Sequence, residues 1–430
     1  MHDRTRRNLC RLAFLLFCVL PTACVLVLIL HRHSSFYRSA TTRHWEQALF
    51  QRLGLITTID RVWRSERHVI SLEGVKLIDP ETRQQIARIR VLELAQRDHG
   101  QVLWASQPEI ADGQFLRVWE VLHERLLRGP PLDSEVRFLA GEVTLLGDNG
   151  QTFTNVECLI EQHETGAQVL LDFRVAGAEE QSTAQLRIMR NRQLSPPATG
   201  WQLRTGSTSL PCSMFTAYLP VLESLGPSCR FAGTASADRS TNRWNGEFVG
   251  RFTQVDLDGL IAPFPHKLSG TAELVFQRAR FQDGRLLEAA GAVRADGGVI
   301  SRSLVEALGN ALQLDGPGIA ATDPRLLLEY QQLAFGYELV ATKLRLSGTC
   351  QNAPIGTVLL GKTGPLLTDS GTDSIPAVAL ARALSPSSEF LVPATKETGL
   401  LLDALPVPTG SSATTRQATR PNVTVRLREE

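Results

Sequence analysis

The sequence predicts a mainly β protein in which an N-terminal transmembrane helix leads into a long antiparallel sheet with a few covering helices. Three observations carry this prediction. One uncharged apolar stretch lies near the N-terminus, apolar and polar residues alternate with period two over much of the chain, and Asp-Gly or Asn-Gly turns separate the alternating segments. Strands that alternate in this way bury one face and expose the other.

The apolar stretch is LAFLLFCVLPTACVLVLIL, residues 12–30. At about 1.5 Å per residue it reaches roughly 28 Å, which matches the hydrocarbon core of a bilayer. An arginine-rich segment, residues 4–11, precedes it and predicts a cytoplasmic N-terminus with the bulk of the chain outside. A cleaved signal peptide and a lipoprotein signal are the alternatives. Apolar residues continue beyond Ala23, and the residues before Cys24 make a poor lipobox, so we favour an uncleaved anchor within residues 1–31.

The first hairpin is predicted in SLEGVKLIDPETRQQIARIRVLEL, residues 71–94, because Asp79-Pro80 followed by polar residues favours a turn. A short helix is predicted before it, at residues 42–54. Three further helices are predicted at residues 112–128, 209–225 and 303–314, the last opened by a capping box from Ser303 to Glu306. Their apolar stripes must cover part of the sheet.

Between these helices, alternation predicts half-buried strands with apolar residues on one face. The apolar sets are Val169, Leu171, Phe173 and Val175; Ala184, Leu186 and Ile188; Trp244, Phe248 and Phe252; Ala272, Leu274 and Phe276; and Leu344 and Leu346. From residue 368 to 430 the composition changes to Pro, Ser, Thr and Ala, which predicts a disordered tail.

The composition limits the function classes. Of 430 residues 43% are hydrophobic and 21% charged, so the chain can bury a sizeable core. The net charge of +1 argues against nucleic-acid binding. Histidines show no metal-ligand spacing, and we expect no metal, no cofactor and no catalytic residues, hence no enzyme.

Two local patterns suggest chemistry but favour a plain structural interpretation. Residues 356–363, GTVLLGKT, fit the phosphate-binding loop pattern, yet Gly364-Pro365 follows at once, so we predict a strand that ends in a turn. Asp256 and Asp258 fall on one polar strand face, where solvated carboxylates are expected before a metal site.

The cysteines leave one alternative open. Cys212 and Cys229 either form a disulfide in an oxidising compartment or remain buried free thiols.

The hairpin at residues 71–94, the segment GRFTQVDLDGLIAPFPHKLSGTAELVFQRARFQDGRLLEAAGAVRADGGVIS at 250–301, and LAFGYELVATKLRLSG with GTVLLG within 333–361 resemble the AsmA-like family of bacterial envelope proteins. The resemblance implies a curled antiparallel sheet over residues 32–367 that forms an apolar groove. It also implies an inner-membrane anchor, a periplasmic location, and a role in envelope lipid homeostasis with a phospholipid ligand. A non-catalytic scaffold for other envelope proteins is the alternative. The candidate groove-lining residues are Trp244, Phe248, Phe252, Leu274, Phe276, Leu344 and Leu346.

Overall fold

The structure is a computed structural model that describes residues 14–23, 25–26, 35–66, 68–97, 100–121, 123, 127, 129, 134–147, 150–177, 183–216, 220–240, 243–316, 326–371, 374–384 and 404–405. The protein is mainly β, with 56% strand in one large mixed sheet that does not close on itself. This confirms the predicted fold class at the level of its secondary structure.

The sheet contains 22 strands in the described part of the chain. They are β1 (Ile56–Thr58), β2 (Arg61–Glu66), β3 (Val69–Ile78), β4 (Gln85–Arg97), β5 (Gly100–Ile110), β6 (Glu135–Leu145), β7 (Gln151–His163), β8 (Gly166–Val175), β9 (Ala184–Asn191), β10 (Ala198–Arg204), β11 (Leu210–Pro211), β12 (Arg230–Ser240), β13 (Arg243–Asp256), β14 (Thr271–Gln282), β15 (Arg285–Ala295), β16 (Gly298–Ser301), β17 (Leu314–Asp315), β18 (Leu327–Val340), β19 (Lys343–Gly348), β20 (Thr357–Gly361), β21 (Gly364–Asp369) and β22 (Ile375–Pro376).

Helices are few in the described part of the chain, and all but the first are shorter than the longest strands. The α-helices among the described residues are α1 (Ser35–Leu53), α2 (Phe115–Val121), α3 (Leu257–Ile261), α4 (Arg302–Leu312) and α5 (Val378–Leu384). A π-helical turn covers Leu15–Val19, and two 3-10 helices cover Cys212–Met214 and Pro220–Leu225.

The strands follow one another as a meander. Each of β3 to β9 pairs with the next strand, and the order then continues from β10 through β12, β13, β14 and β15 to β18. The 14-residue β18 divides the sheet, because β15 and β16 pair with one edge while β19 and β20 pair with the other. The last strands therefore form a branched end, whereas the first two-thirds form a simple ribbon of strands.

One pair in this meander is parallel, which corrects the expectation of a purely antiparallel sheet. β5 and β6 run in the same direction, with Gly100 opposite Glu135 and Ile110 opposite Leu145. Parallel neighbours need a crossover that returns the chain to the same end of the sheet, and a helix commonly provides it. Residues 111–134 make this crossover and contain α2, so the helix predicted at 112–128 is a connection as well as a cover.

Two turns follow from their local chemistry. At the tip of the β3–β4 hairpin, Asp79 Oδ1 accepts a hydrogen bond from the Glu81 backbone N–H at 3.0 Å, as the Asp-Pro step predicts. Between β14 and β15 the chain turns through Asp283 and Gly284 alone, with φ of 53° and 80°. Two consecutive positive φ values define the type I′ turn that favours hairpins with right-handed twist.

The continuous helix predicted at residues 209–225 is wrong. This segment forms the two-residue strand β11, which pairs with β12, and then the two 3-10 turns. The predicted ends rest on Ser209-Leu210-Pro211 and on Gly226-Pro227, but Pro220 lies inside the segment. A proline inside the segment lacks the N–H of an i to i−4 bond and clashes with the preceding turn, so only short 3-10 pieces form.

Two other predicted helices differ at their ends. The helix predicted at 303–314 begins at Arg302, and its N-cap is Ser301, whose Oγ accepts from the Leu304 N–H at 3.3 Å. The capping serine is therefore two residues earlier than the pattern indicated, while Glu306 pairs with Arg302 at 2.7 Å. The helix predicted at 112–128 is α2 over its described part, and most of residues 122–133 lie outside the described residues.

The ordered fold extends beyond residue 368, which corrects the predicted start of the tail. β22 pairs with β19, and α5 packs against α4 with Ala379, Ala381 and Ala383 buried. Small apolar residues of this stretch are buried where α5 meets α4, although the surrounding composition resembles a disordered segment. Residues 385–403 and 406–430 lie outside the described residues.

No helix in the described part of the chain combines the length and the apolar character required to cross a membrane. Of the predicted anchor, the structure describes only residues 14–23 and 25–26, and the rest of residues 1–31 lies outside the described residues. The described side chains there include Phe14, Phe17 and Leu20, which are all exposed.

Candidate functional site

One side of the sheet is apolar from strand to strand, and we call it the apolar face. Opposed residues in neighbouring strands lie on the same side of a sheet, so the register traces this face directly. From β7 to β13 the aligned positions are Cys158, Leu171, Leu186, Leu203, Ala235 and Phe248. From β14 to β19 they continue as Phe276, Gly291, Tyr337 and Leu346.

The largest side chains of the apolar face gather on β12, β13, β14 and β18, and we call them the aromatic cluster. Its members are Phe231, Phe248, Phe252, Phe276, Phe281 and Tyr337. The ring centroids of Phe248 and Phe276 are 4.6 Å apart, and those of Phe276 and Tyr337 are 5.8 Å apart. Phe231 is buried and the other five rings are half-buried. The cluster is therefore an apolar surface and not a closed core.

Glycines on the neighbouring strands make room for these rings. Phe276 lies between Gly250 on β13 and Gly291 on β15. A Cβ atom at Gly291 would lie 2.7 Å from Tyr337 Oη and 1.9 Å from the carbonyl oxygen of Val275. Tyr337 crosses this glycine and donates its hydroxyl hydrogen to the same Val275 carbonyl at 3.3 Å. Burial raises the pKa of the Tyr337 phenol, so the hydroxyl remains a donor at neutral pH.

The opposite side of the same strands is charged. Arg251 Nε lies 3.1 Å from Glu273 Oε1, and Arg278 lies within ion-pair distance of both Glu288 and Glu338. These side chains are more than a third exposed, in agreement with a solvated face. The predicted alternation of apolar and polar faces is confirmed in this region.

Two segments cover the ends of the middle strands. At one end, Leu210, Cys212 and Leu225 pack into the main core from the segment with the two 3-10 helices. At the other end Leu127 packs on Ile160, Val169 and Ile188, and Arg192 Nη2 donates to the carbonyl oxygens of Leu127 at 3.0 Å and Gly129 at 2.6 Å.

Between these two covers the apolar face stays partly open. Phe138, Leu171 and Leu186 pack against the buried residues at both ends and remain half-buried themselves. The open strip therefore runs across the strands, bounded at each strand end by a covering segment.

The structure brings most of the predicted lining residues together. Phe248, Phe252 and Phe276 are in ring contact, and Leu274 lies opposite Phe252 in the register. Leu346 is half-buried opposite Tyr337. The other two predicted lining residues differ from these.

Leu344 is only 7% exposed, because it pairs with Ile375 of β22, and it offers little surface to a ligand. Trp244 stands opposite Arg239 at the start of β13, and its side chain lies outside the described residues.

Sequence reasoning missed Phe231, Tyr337 and Phe138 as members of the apolar face. Phe335, Tyr337 and Leu339 are apolar residues at every second position of β18. This period-two alternation could have indicated that Tyr337 belongs to the apolar face. Phe231 had no such signal, because the alternation that follows it uses small residues such as Ala235 and Ala237.

The two sequence patterns that suggested chemistry have structural roles. Residues 357–369 form the β20–β21 hairpin, so the phosphate-loop pattern opens no helix, as predicted. Asp256 is the N-cap of α3 and accepts from the Asp258 N–H at 3.0 Å, while Asp258 forms an ion pair with Lys267. The expected strand-face position of this aspartate pair is corrected to a helix start. Among the described residues no cluster of His, Cys, Asp or Glu could hold a metal ion.

The first hairpin contains the one strongly buried carboxylate of this region, and it binds α2. Asp79 is 2% exposed, and its Oδ2 lies 3.0 Å from Arg117 Nε. Arg117 also pairs with Glu120 at 2.9 Å. The Glu81 backbone N–H and the Arg117 guanidinium hold the pKa of Asp79 below its usual value. The pair attaches the hairpin turn to the crossover helix, which is a structural role.

No family model, no curated protein and no solved structure matches this chain. The class of the protein is therefore defined by its own geometry: an open, meandering sheet with one charged face and one half-exposed apolar face.

Proposed function

We propose that this protein is a membrane-anchored, non-catalytic envelope protein of the AsmA type that holds or transfers phospholipid acyl chains along its apolar face. The observation that carries this proposal is the aromatic cluster, five of whose six rings are half-buried in a sheet whose other side is charged. A monomeric soluble protein seldom leaves a contiguous apolar surface open unless something binds there.

The dimensions and chemistry of the face suit an acyl chain. A strand of about six residues spans roughly 20 Å, which is comparable to a lipid tail. Each methylene removed from water contributes about 0.8 kcal/mol, so a partly enclosed tail is held firmly yet can slide without any covalent step. The covers at Leu127 and at Leu225 leave the strip open across the strands. The open strip therefore leaves space for a series of lipid-binding positions on several neighbouring strands.

The anchor and the location belong to the same proposal. The uncharged residues 12–30, preceded by an arginine-rich segment, support a single membrane span with the N-terminus in the cytoplasm and the sheet in the periplasm. The exposed apolar side chains of Phe14, Phe17 and Leu20 suit a lipid environment.

Mass spectrometry of lipids that accompany the full chain after mild detergent extraction tests the proposal. We expect phospholipid in the purified protein, and less of it in Phe248→Asp, because a carboxylate in the aromatic cluster opposes acyl binding. Val249→Asp is the matched control, since Val249 is 47% exposed on the charged face of the same strand. Circular dichroism of both variants verifies that they are folded.

A photo-crosslinking amino acid at position 248 provides a second readout that does not introduce charge. We expect it to label lipid, and the same group at position 249 to label none. The proposal would be overturned if Phe248→Asp and Val249→Asp contained equal amounts of lipid and the crosslinker labelled lipid equally at positions 248 and 249. Unchanged lipid in Phe248→Asp together with loss of a protein complex would favour the scaffold function.

A further inference from the structure

Cys212, in the covering segment, and Cys229, directly before β12, lie opposite each other at the edge of the apolar face. The β11–β12 ladder pairs Leu210 with Phe231 and Pro211 with Arg230. Cys212 and Cys229 continue this ladder by one step, and the Cys212 N–H donates to the Cys229 carbonyl oxygen at 2.9 Å. Opposed residues of an antiparallel pair have Cα atoms about 4.5–5.5 Å apart, and disulfides require about 4.4–6.8 Å. The backbone therefore already has the spacing of a cross-link.

The side chains also meet. Both residues are free thiols with 0% exposure. Interaction with the neighbouring Cys229 thiol, together with burial, raises the pKa of Cys212.

We propose that Cys212 and Cys229 form a disulfide site that fastens the covering segment, residues 210–225, to strand β12. The reaction is exchange with an external disulfide such as oxidised glutathione. The thiolate of one cysteine attacks that disulfide, forms a mixed disulfide and releases one glutathione thiolate. The other cysteine, after losing its proton, then attacks the protein sulfur of the mixed disulfide and releases the second glutathione thiolate. Two electrons pass from the protein thiols to the donor disulfide.

The other described thiols lack such a partner and serve as internal controls. Burial raises the pKa of Cys158, on β7, to about 12. Cys350 Sγ donates to the Val358 carbonyl oxygen at 3.3 Å. A cross-link that depends on contact geometry will therefore select Cys212 and Cys229 over these two.

The cross-link bears on the apolar face because the covering segment adjoins the aromatic cluster. Phe231, two residues after Cys229, contacts Phe252 in a tilted arrangement with ring centroids 4.9 Å apart. Leu225 is buried in the same core. A bond between the cysteines holds this end of the cluster closed, whereas reduction leaves the segment attached only by packing and backbone hydrogen bonds. Since both thiols are buried, exchange requires that the segment open or that it has not yet packed during folding.

The test uses the purified full chain in detergent, incubated with oxidised glutathione, then alkylated with N-ethylmaleimide, digested without reductant and analysed by mass spectrometry. We expect one linked peptide pair that contains Cys212 and Cys229, and an upward shift of the melting temperature of about 5 °C. Cys212→Ala/Cys229→Ala removes both responses, and Cys158→Ser and Cys350→Ser leave both unchanged. Alkylation of Cys212 and Cys229 after oxidation, or a link to Cys158 or Cys350, would overturn the proposal.

Acid-quenched alkylation in cells separates this proposal from the proposed location. We expect the linked peptide when the sheet lies in an oxidising compartment. Thiols that are reduced in cells but link in the purified protein would support the disulfide site and contradict the periplasmic location.

Discussion

The aromatic cluster and the C-terminal end of the sheet use the same alternating strands but differ in what lies over them. In the register, Leu333 of β18 lies opposite Leu359 of β20, which lies opposite Leu367 of β21, and all three are buried. Helix α4 packs over that end, and α5 packs against α4. Two and four residues further along β18, Phe335 and Tyr337 are half-buried.

Alternation therefore indicates which face of a strand is apolar, but it does not indicate whether another element covers that face. The strands of both regions carry the same sort of apolar residues, and only the presence of helices turns one face into core. Substitutions in each region test whether the two faces differ in burial.

The largest effect is expected for Leu304→Ala on α4. Leu304 is 1% exposed between α4 and the sheet, so its truncation leaves a cavity and lowers the free energy of unfolding by about 2–5 kcal/mol. Phe248→Ala removes a larger side chain but one that is already half-exposed, and we expect a loss of about 1–2 kcal/mol. Urea unfolding of both variants measures this order. If Phe248→Ala is the more damaging, the aromatic cluster is core and the comparison fails.

The next effect concerns the rigidity of the aromatic cluster. Gly291→Ala places a methyl group against the Val275 carbonyl and the Tyr337 hydroxyl, so we expect a loss of about 1–3 kcal/mol. Gly141→Ala, in β6, is the control, because nothing lies within 4 Å of the added carbon atom. The measurement is the urea unfolding midpoint of each of the two variants. Equal midpoints would show that the strands at Gly291 shift to accommodate the methyl group and that the aromatic cluster is not rigid.

A smaller effect is expected where the hairpin turn binds α2 by charge. Asp79→Asn removes the carboxylate held by Arg117 and the Glu81 N–H, with an expected loss of about 1–2 kcal/mol at pH 7. The folded pKa of Asp79 is below its unfolded value. Its contribution is therefore present above the unfolded value of about 3.9 and is lost as the pH falls through the folded pKa. The difference in the free energy of unfolding between Asp79→Asn and the unsubstituted protein should therefore vanish at strongly acid pH. Urea unfolding at several pH values measures this difference. A difference that persists there would assign the effect to packing.

Sequence reasoning found the faces of single strands and missed what depends on distant partners. The sets Ala184, Leu186 and Ile188, and Phe248 with Phe252, lie on one face as alternation predicted. The parallel β5–β6 pair was missed, because alternation looks the same in either direction.

One error caused another. The tail was predicted to begin at residue 368, so the strand that contains Ile375 was not expected. That strand pairs with β19 at Leu344. Leu344, which was predicted to line the groove, is therefore buried in the core. Burial of this kind is decided by a segment far along the chain, which no local pattern near Leu344 can report.

The smallest effect is expected on the charged side of the aromatic cluster. Arg251 is 61% exposed and pairs with Glu273 across the β13–β14 ladder. An exposed pair in water contributes little, so Arg251→Ala should change the free energy of unfolding by less than about 0.5 kcal/mol, and less still at high salt. Urea unfolding at low and high salt is the measurement, with Phe248→Ala as the reference for the other face. A salt-independent loss above about 1 kcal/mol would mean that the charged side is itself covered. The apolar face and the charged face would then not differ in their exposure to solvent. Exposure of the aromatic cluster would no longer favour a ligand on the apolar face.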